Sequence, residues 1–193
     1  MAPTLRPYAD RDWEAVLGLC LRAFAPGYES LERALGRDLD WQACLSRHLR
    51  SLTRPGKGRR LIVAEAEGAV VGVVAYDVEP KRQRGSIGVS AVHPAHQGKG
   101  VASRMYAHVL DVMSAQGVRY VTAETEGDSA HDPVRRAYEK AGFLAVPIVH
   151  YFLDLVARVP PPIAAPDRQR PGRQPAGRRA HPRTPLAALR VRR

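Results

Sequence analysis

Lysine is scarce in this chain, with 4 residues against 26 arginines. Cysteine is scarcer still: only Cys20 and Cys44, in helical-looking segments and without metal-ligand spacing. Both read as reduced thiols packed in helices, which points to a cytoplasmic protein. No Cys/His/Asp constellation suggests a metal. No apolar run approaches the roughly 18 residues needed to span a bilayer, and no charged-then-apolar signal opens the chain, so a membrane is not an expected partner. Two phosphate-binding patterns are missing as well. There is no G-x-x-x-x-G-K-[ST], and a G-x-G-x-x-G fingerprint would need a glycine where Ser103 stands.

The formal net charge is +11, distributed unevenly. Residues 158–193 hold ten Arg against one acid, Asp167, hence +9; residues 1–157 hold 20 Lys and Arg against 18 Asp and Glu, hence +2. Eight of the 16 prolines also lie from Pro160 onward, among few large apolar residues. Such a segment cannot offset its ordering entropy, so 1–157 is expected to be one folded domain and 158–193 a disordered Arg/Pro-rich tail. The tail reads either as a basic arm for nucleic acid or as the product of an Arg-biased, GC-rich coding sequence. The second reading is preferred, so nucleic acid stays an open alternative rather than an expected partner.

Along the domain, Thr4 to Ala9 suits a first strand. Asp10 can cap a helix with an apolar stripe at Trp13, Val16/Leu17, Cys20/Leu21 and Phe24, which Pro26-Gly27 is expected to break. A second helical region runs from Ser30 to Leu52. Leu61–Glu65 and Val70–Val78 read as a β-hairpin turning at Glu67-Gly68, and Ser86–Val92 as the next antiparallel strand. A periodic helix follows, carrying Val101, Met105, Val109 and Val112 and closed by Gly117. Tyr120–Glu126 is expected as a strand, His131-Asp132-Pro133 to Lys140 as a helix, and Ile148–Leu155 as a last strand. The pattern is mixed α/β, with helices available to cover a central sheet.

The stretch that organises the rest is residues 87–105. A β-prone run ends before Pro94, and Gln97-Gly98-Lys99-Gly100-Val101-Ala102 then opens a helix. The first turn of a helix has amide N–H groups without intrahelical partners, and its dipole favours negative charge. Glycines at 98 and 100 remove side chains that would keep a phosphate away. The alternative is an ordinary strand–helix connection whose glycines only relieve strain.

Gln97 to Ala102 fits the Q/R-x-x-G-x-G/A signature of the GNAT superfamily of acetyl-CoA-dependent N-acetyltransferases, and it follows Val92-His93-Pro94 as the family's V-x-P does. Downstream, Arg135 to Phe143 resembles the family's A-x-x-x-Y-x-x-x-GF region, with Tyr138, Gly142 and Phe143 in place. The resemblance covers Leu5 to Leu155. From Glu124 to Phe143, and again from Pro147 to Leu153, it is to small bacterial members of unassigned substrate.

The resemblance implies a mostly antiparallel sheet with splayed strands, flanked by helices, and acetyl-CoA as acyl donor. Amides of Gly98, Lys99, Gly100, Val101, Ala102 and Ser103 would hold its pyrophosphate, with Lys99 as a point charge. Ser90, Ala91 and Val92 would border the pantetheine arm, and the Val92 N–H would face the thioester carbonyl. Tyr138 stands where relatives protonate the departing thiolate, and a tyrosine near pKa ~10 can donate at neutral pH. Glu124 matches a position that supplies a base in some relatives. Glu126, two residues along the expected strand and so on the same face, and Glu79, beside Pro80, are further candidates. Many relatives carry an asparagine where this chain has His131, seven residues ahead of the tyrosine; histidine can still hydrogen-bond pantetheine or substrate. His93 and His96 read as solvated loop residues.

The implied reaction is direct acetyl transfer in a ternary complex to a small-molecule amine. Acetylation of a protein lysine or N-terminus and a non-catalytic acyl-CoA sensor remain alternatives. A homodimer is the assembly relatives often adopt.

Overall fold

The computed structural model describes residues 2–54, 56, 58–149 and 151. Among the described residues five strands form one sheet in chain order: β1 (Thr4–Pro7), β2 (Arg59–Ala66), β3 (Ala69–Glu79), β4 (Arg84–Val92) and β5 (Tyr120–Ala123). The first three pairings are antiparallel and β4–β5 is parallel. A parallel pair needs a crossover, supplied here by helix α3 (Val101–Ala115). Helices α1 (Trp13–Leu35) and α2 (Trp41–Leu52) lie on one face of the sheet; α3 and α4 (Asp132–Lys140) lie on the other.

Alternation along the central strands feeds both faces. Ile62, Ala64, Val74, Tyr76 and Val78 join Met105, Tyr106, Val109, Met113 and Tyr138 in one core. Val63, Val73, Ala75 and Ala91 join Trp13, Val16, Leu19, Cys20, Trp41, Leu45 and Leu49 in the other. The β2–β3 hairpin turns at Glu67-Gly68, both at positive φ (53° and 75°), as expected from the sequence and as a two-residue turn matched to strand twist requires.

Several expectations need correction. Pro26-Gly27 does not end α1, which continues to Leu35 and stops at Gly36 (φ 66°). A proline inside a helix costs about 3 kcal/mol. Beyond it, Tyr28 stacks on buried Trp41 (centroids 5.0 Å apart, planes 5° apart), and burying and stacking such a ring returns a comparable ~2–4 kcal/mol. The helix start is organised by Asp12 rather than Asp10: its Oδ2 accepts the Ala9 N–H (2.8 Å), while Arg6 donates to both its carboxylate oxygens (2.7 and 2.9 Å). Arg6 also reaches Glu65 at 2.7 Å, tying β1, β2 and the head of α1 together.

The third correction is β5, which ends at Ala123, so Glu124 and Glu126 lie beyond it and the same-face argument for them does not hold. Of the expected last strand, residues 148, 149 and 151 are not in a strand; residues 150 and 152–155, like the tail at 158–193, lie outside the described residues. Cys20 is buried, whereas Cys44 sits on an exposed face of α2. Among the described residues no helix is long and apolar enough to cross a membrane.

Candidate functional site

The parting of β4 from β5 creates the site. Pairing runs from Arg84↔Tyr120 to Ile87↔Ala123 and stops, while β4 stays paired with β3 to Val92. A register shift opposite Ala75 puts one extra residue into β4 at Gly88-Val89, where a bulge bends a strand away from its neighbour. Residues 88–92 are thus left without a strand beside them on the β5 side, among the described residues.

Ladder alternation fixes which groups face that opening. His93 N–H donates to Val71 O at 2.9 Å, making 93/71 a hydrogen-bonded pair. By alternation Ala91/Val73 is the next such pair, while Ser90 and Val92 turn their N–H and C=O away from β3, into the opening. Of the three strand residues expected to border a ligand, Ser90 and Val92 therefore offer peptide groups; Ala91 turns its own to β3 and its side chain to the α1 face.

The loop after β4 is anchored to the same spot. Gln97 Nε2 donates to Val92 O at 3.1 Å. His93 Nδ1 accepts the Ala95 N–H at 3.2 Å, and the His93 and His96 rings meet edge-on. Gly98 (φ 73°) and Gly100 (φ 79°) then take a left-handed backbone, and a Cβ built on either meets nothing within 4 Å. Gly100 is the N-cap of α3 without a side-chain cap, so the amides of Val101, Ala102 and Ser103 have no side-chain acceptor there. Lys99 lies exposed between the glycines. An open backbone cradle at a helix N-terminus fits an anionic phosphate group.

On the α3/α4 side, Tyr138 is only 7% exposed, stacked on Tyr106 (4.8 Å, 22°) and tilted against Phe143 (5.3 Å). Burial first, then the neighbouring Tyr106, pushes its phenol well above the ordinary tyrosine range. Tyr106 was missed in the sequence, where it follows Met105 in the stripe of a helix and reads as core. Its hydroxyl lies 2.9 Å from Ser90 Oγ.

The loop after β5 carries the carboxylates. Glu124 is exposed and makes no ion pair among the described residues. Glu126 Oε2 stands 3.1 Å from His131 Nε2, and Asp128 Oδ1 stands 2.7 Å from His131 Nδ1. The His131 ring also abuts α1: a Cβ on Gly27 would come within 2.8 Å of its Cε1. A contact from His131 to pantetheine would use a nitrogen now held by a carboxylate. Glu79, at the opposite end of β3, pairs with Arg82 at 3.4 Å and is not brought to the opening. Burial pushes the Cys20 thiol up to about 12, which leaves it unsuited as a nucleophile.

Comparison with known proteins agrees with this architecture. Residues 20–143 match the model of the acetyltransferase (GNAT) family. A curated mycothiol acetyltransferase from Beutenbergia cavernae is 33% identical over 88 residues, which are 46% of this chain and 29% of that protein, so the match spans under a third of the relative's length. Among solved structures, the PaiA N-acetyltransferase of Thermoplasma acidophilum in complex with coenzyme A aligns with a TM-score of 0.59 at 12% identity, over 75% of this chain and 91% of that one. An aminoglycoside acetyltransferase from an uncultured soil metagenomic sample, in complex with sisomicin, aligns with a TM-score of 0.55 at 18% identity, over 79% and 96%.

Proposed function

The chain belongs to the GNAT family of acetyltransferases, and as such is an acyltransferase using an acyl-CoA co-substrate; we propose that it moves an acetyl group from acetyl-CoA to a primary amine of a small molecule, by direct transfer in a ternary complex. The observation that supports this most is the continuity of the cradle at Gly98–Ser103 with the outward peptide groups of Ser90 and Val92, joined by the Gln97–Val92 hydrogen bond. A long donor with phosphates at one end and a thioester at the other matches that track. The aminoglycoside-binding neighbour supports a small amine as acceptor.

In this reading the amides of Gly98 to Ser103 hold the pyrophosphate, Lys99 adds a charge, and the Ser90 and Val92 peptide groups align the pantetheine arm. Bound acetyl-CoA supplies an activated carbonyl carbon. The Val92 N–H donates to the carbonyl oxygen as it gains charge. Glu124, the carboxylate of its loop without an ion pair among the described residues, takes the proton the attacking amine must lose. As the C–N bond forms and the C–S bond breaks, Tyr138 gives its proton to the sulfur. His131, held between Glu126 and Asp128, contributes by fixing the loop that presents Glu124.

A sensor that binds acyl-CoA without turnover draws on a different observation, the burial of Tyr138. Release of free thiol separates the two. The wild type should release thiol only when acetyl-CoA and a primary amine are both present, and Tyr138→Phe should lower kcat by roughly a hundredfold. Tight acetyl-CoA binding with no thiol release across a panel of amines would establish the sensor instead.

A further inference from the structure

Helices α1 and α2 run antiparallel: Tyr28 stacks on Trp41 at one end of the pair, and Arg50 lies over the Trp13 ring at the other, 3.4 Å from its centroid. At that second end the two helices flank an open groove of about 500 Å³. Its lining includes the apolar Trp13, Leu17 and Ala43 together with Arg47, Arg50 and Arg54, and contains no carboxylate. Trp13 stands about 21 Å along α1 from Gly27, which meets His131, so the groove is remote from the loop that carries Glu124.

The charge of this corner is not met from within the chain. Arg47, Arg50 and Arg54 make no ion pair among the described residues, whereas Arg6, Arg59, Arg82 and Arg135 each hold a carboxylate. Residues 41–64 contain six Lys and Arg and no Asp or Glu, so the rest of 1–157 carries −4. A helix C-terminus favours cations only within its last turn, and α2 ends at Leu52, so Arg47 lies outside that effect. Like charges three and four residues apart also repel one another. A guanidinium has donors and no acceptor, and its planar fork matches the oxygens of phosphate and carboxylate. Stacking on Trp13 holds one of the three forks in place before a ligand arrives, which lowers the ordering cost of binding.

We propose that this groove is a second ligand site, separate from the acyl-CoA site, for a small molecule with two or more anionic groups, phosphate or carboxylate. The apolar body of that molecule lies against Leu17 and Ala43. The volume falls within the range of small-molecule sites. Side chains three or four residues apart on a helix start about 5–6 Å from each other, so the anionic groups are spaced by about 5–10 Å. A nucleic-acid strand fits less well, because Trp13 is buried under Arg50 and offers no face on which a base could stack. The inference does not depend on the acetyl-transfer reading.

Calorimetry on the full chain carrying Gly100→Glu, which closes the α3 cradle to phosphate, tests this. The probes are inorganic tripolyphosphate and citrate, at a fixed ionic strength of about 0.15 M, where loose surface attraction is screened. At least one probe should bind at one site per chain. Arg47→Gln and Arg54→Gln, both at exposed positions, should each weaken that binding by about tenfold and together remove it. Binding of tripolyphosphate alone marks a phosphate ligand, and of citrate alone a carboxylate. In the wild type the two arginine substitutions should remove a probe site and leave acetyl-CoA binding unchanged, which carries the test if Gly100→Glu does not fold. Three results would overturn the proposal: no binding of either probe, binding that the arginine substitutions leave unchanged, or arginine-dependent capture of a single-stranded oligonucleotide without binding of either small anion. Loss of acetyl-CoA binding in Gly100→Glu bears on the donor site alone.

Discussion

The side-chain amide of Gln97 donates to the backbone carbonyl of Val92 at 3.1 Å, closing the loop between β4 and α3 onto the end of the strand it left. That one bond ties the glycine loop at the head of α3 to the parted strand, and in the proposed reading these two hold the ends of one donor. Gln97→Ala should therefore loosen donor binding more than chemistry. Loss of a hydrogen bond worth about 1 kcal/mol corresponds to a KM for acetyl-CoA raised roughly fivefold, with kcat little changed. An unchanged KM would mean that the glycine loop keeps its shape without the tie.

Gly27 and His131 form a second such pair. Glycine inside a helix is worth about 1 kcal/mol less than alanine, so Gly27→Ala ought to stabilise α1. Here the new Cβ would meet the His131 ring at 2.8 Å, and overpacking of that kind costs about 1–3 kcal/mol. The substitution should lower stability in the native chain and raise it in a His131→Ala background, as read by thermal unfolding. The same sign in both backgrounds would show that the ring gives way without cost.

Stability at low pH should follow Asp12. Hydrogen bonds from the Arg6 guanidinium hold its carboxyl below the usual aspartate range, against the opposing effect of burial. A carboxyl depressed in the folded state contributes stability that is fully present above its unfolded pKa of about 3.9 and is lost as pH falls through the folded value. Asp12→Asn should cost roughly 2–4 kcal/mol at neutral pH and flatten the decline of stability below about pH 4. Denaturant unfolding at pH 7 and pH 3 measures both; a variant that loses as much at pH 3 as at pH 7 would contradict the linkage.

These pairs also explain what a single chain reveals before it is folded. The β2–β3 hairpin at Glu67-Gly68 and the glycine loop opening α3 were readable because their determinants are local: turn residues, alternation and a stripe within one element. The continuation of α1 through Pro26 was not, because what offsets the proline is the stacking of Tyr28 on Trp41, fifteen residues beyond the proline and on another helix. The end of β5 at Ala123 escaped too, since alternation continues to Glu126 while the strand stops where β4 bends away. Tyr106 carried no signal at all: a tyrosine in an apolar stripe becomes a functional candidate only when Ser90 and Tyr138 are seen beside it. Family motifs singled out Tyr138 and the glycine loop, but did not show that His131 would be held between Glu126 and Asp128.

The central claim is that the backbone from Gly98 to Ser103 receives the phosphates of an acyl-CoA, and calorimetry of acetyl-CoA binding to wild type, Gly100→Ala and Gly100→Glu tests it most directly. Both substitutions strain the same left-handed residue, at φ 79°, with open space around the new Cβ, so both should fold with similar losses of stability. Only the glutamate fills the cradle and repels a phosphate. Binding in the micromolar range that survives Gly100→Ala in weakened form and disappears in Gly100→Glu is the predicted result. Equal binding by Gly100→Glu and Gly100→Ala would contradict the account and move the donor's phosphates elsewhere on the molecule.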